Sequence, residues 1–276
     1  MQRRPFGPSR VMVPIIGQGT WRMERDPKES IAALRRGLDL GMTHIDTAEM
    51  YGGGAVEGVV GEAIRGRRDE VFLVSKVLPS NATYRGTVEA CERSLRRLRT
   101  HWLDVYLLHS PSYHPFEDTV KGFRRLMDEG KIRAFGVSNF DGELLEEAIA
   151  LGRPEGIACD QVLYHLGNRW IEHGLIDHCL TFDVSVVGYS PFGQGDFPED
   201  DPVLQEIAAS HNATPRQVAL RFLLRLPGTF TIPKASTVAH VEENAGAAEV
   251  KLTPDEIARL DAAFPLGPVE AGLPRL

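Results

Sequence analysis

The chain has 276 residues, of which 42% are hydrophobic and 25% charged, and its formal net charge is -7. That length suits one α/β barrel or two small domains, and it can bury a full core without disulfides or metal. The acidic balance argues against a nucleic-acid binder, which needs a basic stripe facing the phosphates. The arginine-rich stretch from Arg93 to Arg99 alternates with leucine and reads as the solvated face of an amphipathic helix. Cys91, Cys159 and Cys179 are too scattered for a zinc site or a disulfide scaffold. No metal is expected, and a reducing compartment fits. MQRRPFGPSR lacks the apolar core of a signal peptide, and no apolar run is long enough to span a bilayer. The cytoplasm is the expected location, without a membrane partner.

From the N-terminus, RRPF and RVMV flank Gly7-Pro8-Ser9, the composition of a hairpin turn. Such a hairpin could plug the bottom of a barrel. IIGQG (15–19) is the first strand of a longer series. PKESIAALRRGLDLG reads as a helix, with Pro27 in its first turn and Gly41 at its stop. Strands follow at THID (43–46) and VFLVSKV (71–77). TVEACERSLRRLRT has helical apolar spacing. Strands LDVYLLH (103–109) and IRAFGVS (132–138) precede DGELLEEAIALG, a helix that Asp141 can cap. GIACDQV (156–162) and VSVVGYS (184–190) are strands six and seven. Helices are predicted at about 202–210 and 215–226, strand eight at FTIP (230–233), and a last helix at about 254–263. Eight strands alternating with helices predict a (β/α)8 TIM barrel with an N-terminal β-hairpin and two extra helices, 202–210 and 254–263. A doubly wound sheet is the competitor. GQGTW, Gly17 to Trp21, lacks the third glycine of the dinucleotide fingerprint and runs into a tryptophan instead of a helix. Residues 1–276 are expected to form a single barrel domain.

Active sites of such barrels lie at the C-terminal strand ends. Those ends carry Asp46, with Tyr51 five residues on, then Lys76, His109, Ser138-Asn139, Gln161, Tyr189-Ser190 and Lys234. Asp46, Tyr51, Lys76 and His109 suit carbonyl reduction. Hydride must come from a cofactor, and a phenol can supply the proton. Lys76 would lower the phenol's pKa, Asp46 would keep Lys76 protonated, and His109 would orient the substrate oxygen. Each residue alone has a plainer reading: a turn aspartate, an ion-paired lysine, a core histidine, a loop aromatic. Together, on consecutive strand ends, they point to a site.

These segments resemble the aldo-keto reductase family over nearly the whole chain. The matching runs, in order, are GMTHIDTAEMY with Gly61, LDVYLLHSP, GVSNF, DQV, GYSPFG and IPKAS. The resemblance implies Tyr51 as proton donor beside Asp46, Lys76 and His109. It implies a cofactor site that begins at Gly19, Thr20 and Trp21 and includes Asp46. Ser138, Asn139 and Gln161 would hold the nicotinamide carboxamide, and Tyr189 would stack on its ring. Ser190, Pro191, Phe192 and Gly193 would meet the pyrophosphate. Lys234, Ala235, Ser236 and His240 would bind the adenosine end, with Glu243 and Asn244 on the adenine. Trp21, Tyr51 and His109 would line the substrate pocket. NADPH is the implied cofactor, with NADH as a second.

The chain departs from the family at Ala235, usually serine or threonine, at His240, usually arginine, and in VLYHL after Gln161. A histidine carries charge only when protonated, so a weaker preference for NADPH is expected. Short loops after His109 and Gly193 imply an open pocket for small aldehydes or ketones, methylglyoxal-like compounds among them, in a monomer. Two rivals are a weakly catalytic, cofactor-sensing partner protein of the same fold and an aldolase forming a Schiff base on Lys76. Borohydride trapping on Lys76 would mark the aldolase.

Overall fold

The computed structural model describes residues 1–268 and 272–275. Strands β1 (Arg3–Phe6) and β2 (Val11–Pro14) pair antiparallel as the N-terminal hairpin. The barrel strands are β3 (Gln18–Gly19), β4 (His44–Asp46), β5 (Phe72–Val77), β6 (Leu103–Leu108), β7 (Ile132–Ser138), β8 (Cys159–Leu163), β9 (Ser185–Tyr189) and β10 (Thr229–Thr231). All eight run parallel in chain order. Parallel bridges between Ile16 and Thr231 and between Gly19 and Lys234 join the first strand to the last and close the barrel. The seam is tight: a Cβ on Gly19 would lie 2.5 Å from the Ile232 carbonyl oxygen.

Helices α1 (Pro27–Asp39), α2 (Ala55–Ala63), α3 (Tyr84–Leu98), α4 (Phe116–Asp128), α5 (Gly142–Leu151) and α6 (Leu175–Thr181) follow the first six barrel strands. After β9 come two helices, α7 (Pro202–Ser210) and α8 (Pro215–Leu223), and after β10 come α9 (Val238–Gly246) and α10 (Pro254–Ala263). The expected extra helices are thus α7 and α10. Strand β7 keeps its expected bounds, and the other strands differ from theirs by one to three residues at one or both ends. The first strand shortens to its last two residues, because Ile15 and Ile16 reach the barrel only through Thr231. The helix expected over 215–226 stops at Leu223.

Alternation of side chains along the strands makes two cores. Val74, Val105, Leu107, Cys159, Val187 and Phe230 cluster inside the barrel. Leu73, Tyr106, Leu108, Phe135, Val137 and Val162 pack outward against the helices. Phe6 stoppers the lower end, its ring 5.0 Å from Phe72, 4.9 Å from Phe230 and 6.0 Å from His44 between centroids. Cys91, Cys159 and Cys179 are free thiols, all buried.

One local expectation needs correction, and the VLYHL departure has a structural role. Asp141 occupies the position before α5, but its side chain does not cap that helix. Its carboxylate instead accepts a hydrogen bond from the Leu273 backbone N–H at 2.8 Å, which ties the C-terminal segment to the end of β7. The unusual VLYHL run supplies Tyr164, a buried residue whose hydroxyl donates to Glu172 at 2.6 Å. Arg169 and Arg225 grip the same carboxylate at 2.7 and 2.5 Å, and Arg169 reaches Asp261 of α10 at 2.6 Å. That network pins the last helix to the barrel.

Candidate active site

Side chains that alternate into the barrel at the strand ends converge on one mouth. Lys76 shares the inward face of β5 with Val74, and Asp46 that of β4 with His44. Lys76 is 0% exposed and Asp46 1%, and their charged atoms, Nζ and Oδ1, lie 2.6 Å apart. Lys76 Nζ also donates to the Thr47 carbonyl at 2.9 Å and to the Tyr51 hydroxyl at 3.4 Å. Gln161 Nε2 donates to the other Asp46 oxygen at 2.8 Å. Thr20 Oγ1 donates to the Asp46 backbone carbonyl at 2.8 Å. A buried carboxylate and ammonium need such company, because each loses its water on burial. Tyr51 stands on a short turn, Tyr51–Gly54, in which Gly52 and Gly53 take φ of 56° and 61°. That left-handed backbone favours glycine. The Tyr51 ring meets His109 edge to face, with centroids 5.7 Å apart.

Electrostatics differ in one respect from expectation. Burial pulls the Lys76 ammonium down, but Asp46 and Tyr51 outweigh it and its pKa rises, so Lys76 stays charged. Burial pushes the Tyr51 phenol up, and Lys76 only partly pulls it back, while Asp46 pushes it up further. The net direction is upward, because burial outweighs the pull of Lys76, which the Asp46 carboxylate also opposes. Tyr51 therefore stays protonated across the neutral range. Burial, then the Lys76 charge, brings His109 down to about 3, so its imidazole is neutral. Its Nδ1 is buried without a hydrogen-bond partner in the protein.

Most of the expected cofactor residues lie at the ends of β7, β8, β9 and β10 or on α9, and several are bonded to one another. Ser138 Oγ donates to the Gln161 carbonyl at 2.8 Å. Asn139, at φ 62°, donates from Nδ2 to the His109 carbonyl at 3.3 Å, and its Oδ1 accepts from the Tyr189 hydroxyl at 2.9 Å. Tyr189 is half-buried at the end of β9. Ser190, at φ 51°, opens a turn closed by the Gly193 N–H on its carbonyl at 2.9 Å, with Pro191 and Phe192 between them. Lys234, Ala235 and Ser236 follow β10, and Lys234 donates to Ser236 Oγ. His240 and Glu243 lie on α9 with His240 exposed, and Asn244 is buried there. Trp21, 38% exposed, sits on the rim. Three supports were not apparent from the chain alone: the Gln161 bond to Asp46, the Thr47 carbonyl on Lys76, and the cations Arg22 and Arg25 beside Lys234. The first spans 115 residues of chain and leaves no local pattern.

An orphaned imidazole nitrogen beside a protonated phenol, and a lysine that forms no ion pair among the described residues, fit a carbonyl compound and an anionic dinucleotide. Among the described residues no group of three His, Cys, Asp or Glu side chains could hold a metal ion. None of the helices there is long and apolar enough to cross a membrane.

The model of the aldo/keto reductase family matches residues 15–264. Fold, site and match define a nicotinamide-dependent oxidoreductase that reduces carbonyl groups. Methylglyoxal reductase YeaE of Escherichia coli is 47% identical over 92% of each chain. Glyoxal reductase of Bacillus subtilis is 33% identical over 91% of this chain and 89% of its own. A crystal structure of an aldo/keto reductase from Klebsiella pneumoniae, in complex with NADP and acetate, superposes with a TM-score of 0.95 at 41% identity, covering 100% of this chain and 99% of that one. The chain belongs to the aldo/keto reductase family.

Proposed function

We propose that this protein reduces small aldehydes and ketones, methylglyoxal-like dicarbonyls among them, with NADPH preferred over NADH. The observation that carries the assignment of roles is the Lys76 ammonium held between Asp46, at 2.6 Å, and the Tyr51 hydroxyl, at 3.4 Å. Tyr51 is the proton donor to the carbonyl oxygen. Lys76 stabilises the phenolate left behind, Asp46 fixes Lys76, and neutral His109 hydrogen-bonds the same oxygen and orients it. Bound NADPH supplies the hydride. Ser138, Asn139 and Gln161 would hold the carboxamide. Tyr189 backs the ring, Ser190 to Gly193 wrap the pyrophosphate, and Lys234 to Ser236 with His240, Glu243 and Asn244 take the adenosine end. Gly19, Thr20 and Trp21 form the opposite wall. The names of the Escherichia coli and Bacillus subtilis relatives support the small dicarbonyl substrate.

Residues 1–276 act as one barrel domain, monomeric and cytoplasmic, without a nucleic-acid partner. A Schiff-base aldolase is disfavoured, because that chemistry needs a neutral amine and Lys76 is ion-paired and charged. The test is a panel of aldehydes and ketones, methylglyoxal included, followed by loss of NADPH absorbance. Turnover of small carbonyls that vanishes in Tyr51→Phe is expected. Cofactor binding without turnover of any carbonyl would favour the cofactor-sensing alternative.

A further inference from the structure

The end of the mouth where Lys234 stands carries more charge than the lysine alone. Barrel closure brings two segments together there. Gly19 pairs with Lys234, and the Gly19 N–H donates to the Pro233 carbonyl at 3.2 Å. Four residues beyond Gly19, the chain enters a tight turn, Met23–Arg25, with the Met23 N–H on the Thr20 carbonyl at 3.1 Å. Arg22 precedes the turn at φ 63°, its guanidinium 3.9 Å from the centroid of the Trp21 ring. Arg25 ends the turn, and both arginines are exposed.

None of Arg22, Arg25 and Lys234 forms an ion pair with a carboxylate among the described residues. By contrast, Arg36 bonds Glu242 at 2.8 Å and Arg67 bonds Asp39 at 2.6 Å. Burial first, and then the charges of Arg25 and Arg22, hold the Lys234 ammonium below the ordinary lysine range, with Glu24 opposing them. Glu24 offsets part of that repulsion, and an anion joining the three cations would relieve the rest. His240 stands exposed in the first turn of α9, its backbone N–H on Thr237 Oγ1 at 3.3 Å.

We propose that Arg25, with Arg22 beside it, supplies the second positive charge that recognises the 2′-phosphate of NADPH in this protein, in place of an arginine at position 240. The proposal rests on the reading of the site as an NADPH site. A guanidinium is charged at every working pH and can grip two phosphate oxygens at once, which an imidazole cannot. The 2′-phosphate is the sole chemical difference between the two cofactors, so the affinity ratio isolates the contact.

The experiment measures binding of NADPH and NADH to the whole protein by fluorescence titration at low and moderate salt. The proteins are wild type, Arg25→Gln, Arg22→Gln/Arg25→Gln and His240→Gln. The NADPH-to-NADH affinity ratio should fall about ten-fold in Arg25→Gln, the scale of one charge-assisted hydrogen bond. It should fall further in the double variant, and its salt dependence should weaken there to that of Lys234 alone. In His240→Gln it should change by less than about three-fold. An unchanged ratio in the double variant overturns the proposal. So does equal weakening of both cofactors, which would place the arginines elsewhere on the dinucleotide, and so does a larger fall in His240→Gln. A wild type that binds neither cofactor removes the parent reading itself, a result distinct from all of these.

Discussion

Tyr51 and Lys76 divide the work of proton delivery unequally. Burial leaves the phenol protonated, with its pKa above the ordinary tyrosine value, so Lys76 has its effect at the moment the proton leaves. Tyr51→Phe keeps the ring and removes the proton. Carbonyl reduction should fall by roughly 100-fold or more, the scale of a positioned acid, while NADPH binding survives. Near-normal steady-state turnover would refute Tyr51 as the donor. Lys76→Met removes the ammonium and leaves Asp46 as a buried carboxylate facing no charge. Both turnover and melting temperature should drop, the latter because breaking a buried pair costs about 3–5 kcal/mol. An active, fully stable Lys76→Met protein would contradict the site. The pH profile has a definite sign. A donor whose folded pKa is raised keeps its proton below that pKa, so reduction should hold across neutrality and decline only in the alkaline limb. Asp46, Lys76 and His109 were legible because strand order alone brings consecutive strand ends to one mouth. Tyr51's direction of shift was not, because desolvation depends on neighbours far along the chain.

At the scale of elements, capping chemistry was readable in part. Pro27 and Gly41 do frame α1, with Asp26 accepting from the Glu29 N–H at 3.1 Å. Asp141 failed as a cap because a distant N–H, that of Leu273, competes for it. The last helix carries a full capping box, Thr253 with Glu256, and Glu256 also meets His211 of the α7 end at 2.9 Å. Burial pushes the Glu256 carboxyl up, but the Thr253 N–H, His211 and the Thr253 hydroxyl outweigh it and bring it to about 2. A depressed carboxylate stabilises the fold above its unfolded pKa and is lost as pH falls through the folded one. Glu256→Gln should therefore cost about 1 kcal/mol at neutral pH, and much less near pH 2. Urea melts at the two pH values check this; equal losses at both would mean that the carboxylate charge is irrelevant.

For the whole molecule, eight alternating strands and helices were enough to specify a barrel, and the hairpin composition was enough to place a cover beneath it. Which residue makes the stopper was hidden, since Phe6 earns its place only through Phe72 and Phe230, strands away. Phe6→Ala should cost about 3–5 kcal/mol without altering the ratio of affinities at the opposite end. Calorimetry alongside cofactor titration would show the separation, and loss of cofactor selectivity with the melt would disprove it.

The three sealed thiols give the molecule a built-in clock. Burial drives Cys91, Cys159 and Cys179 to weaker acidity, so little thiolate exists in the folded state. Cys91 packs in the helical layer and Cys159 inside the barrel, so an alkylating reagent reaches them through different openings. Loosening of α3 would mark Cys91 alone, whereas Cys159 is marked only when the staves part. The order in which the thiols are modified would thus record which shell of the barrel breathes first.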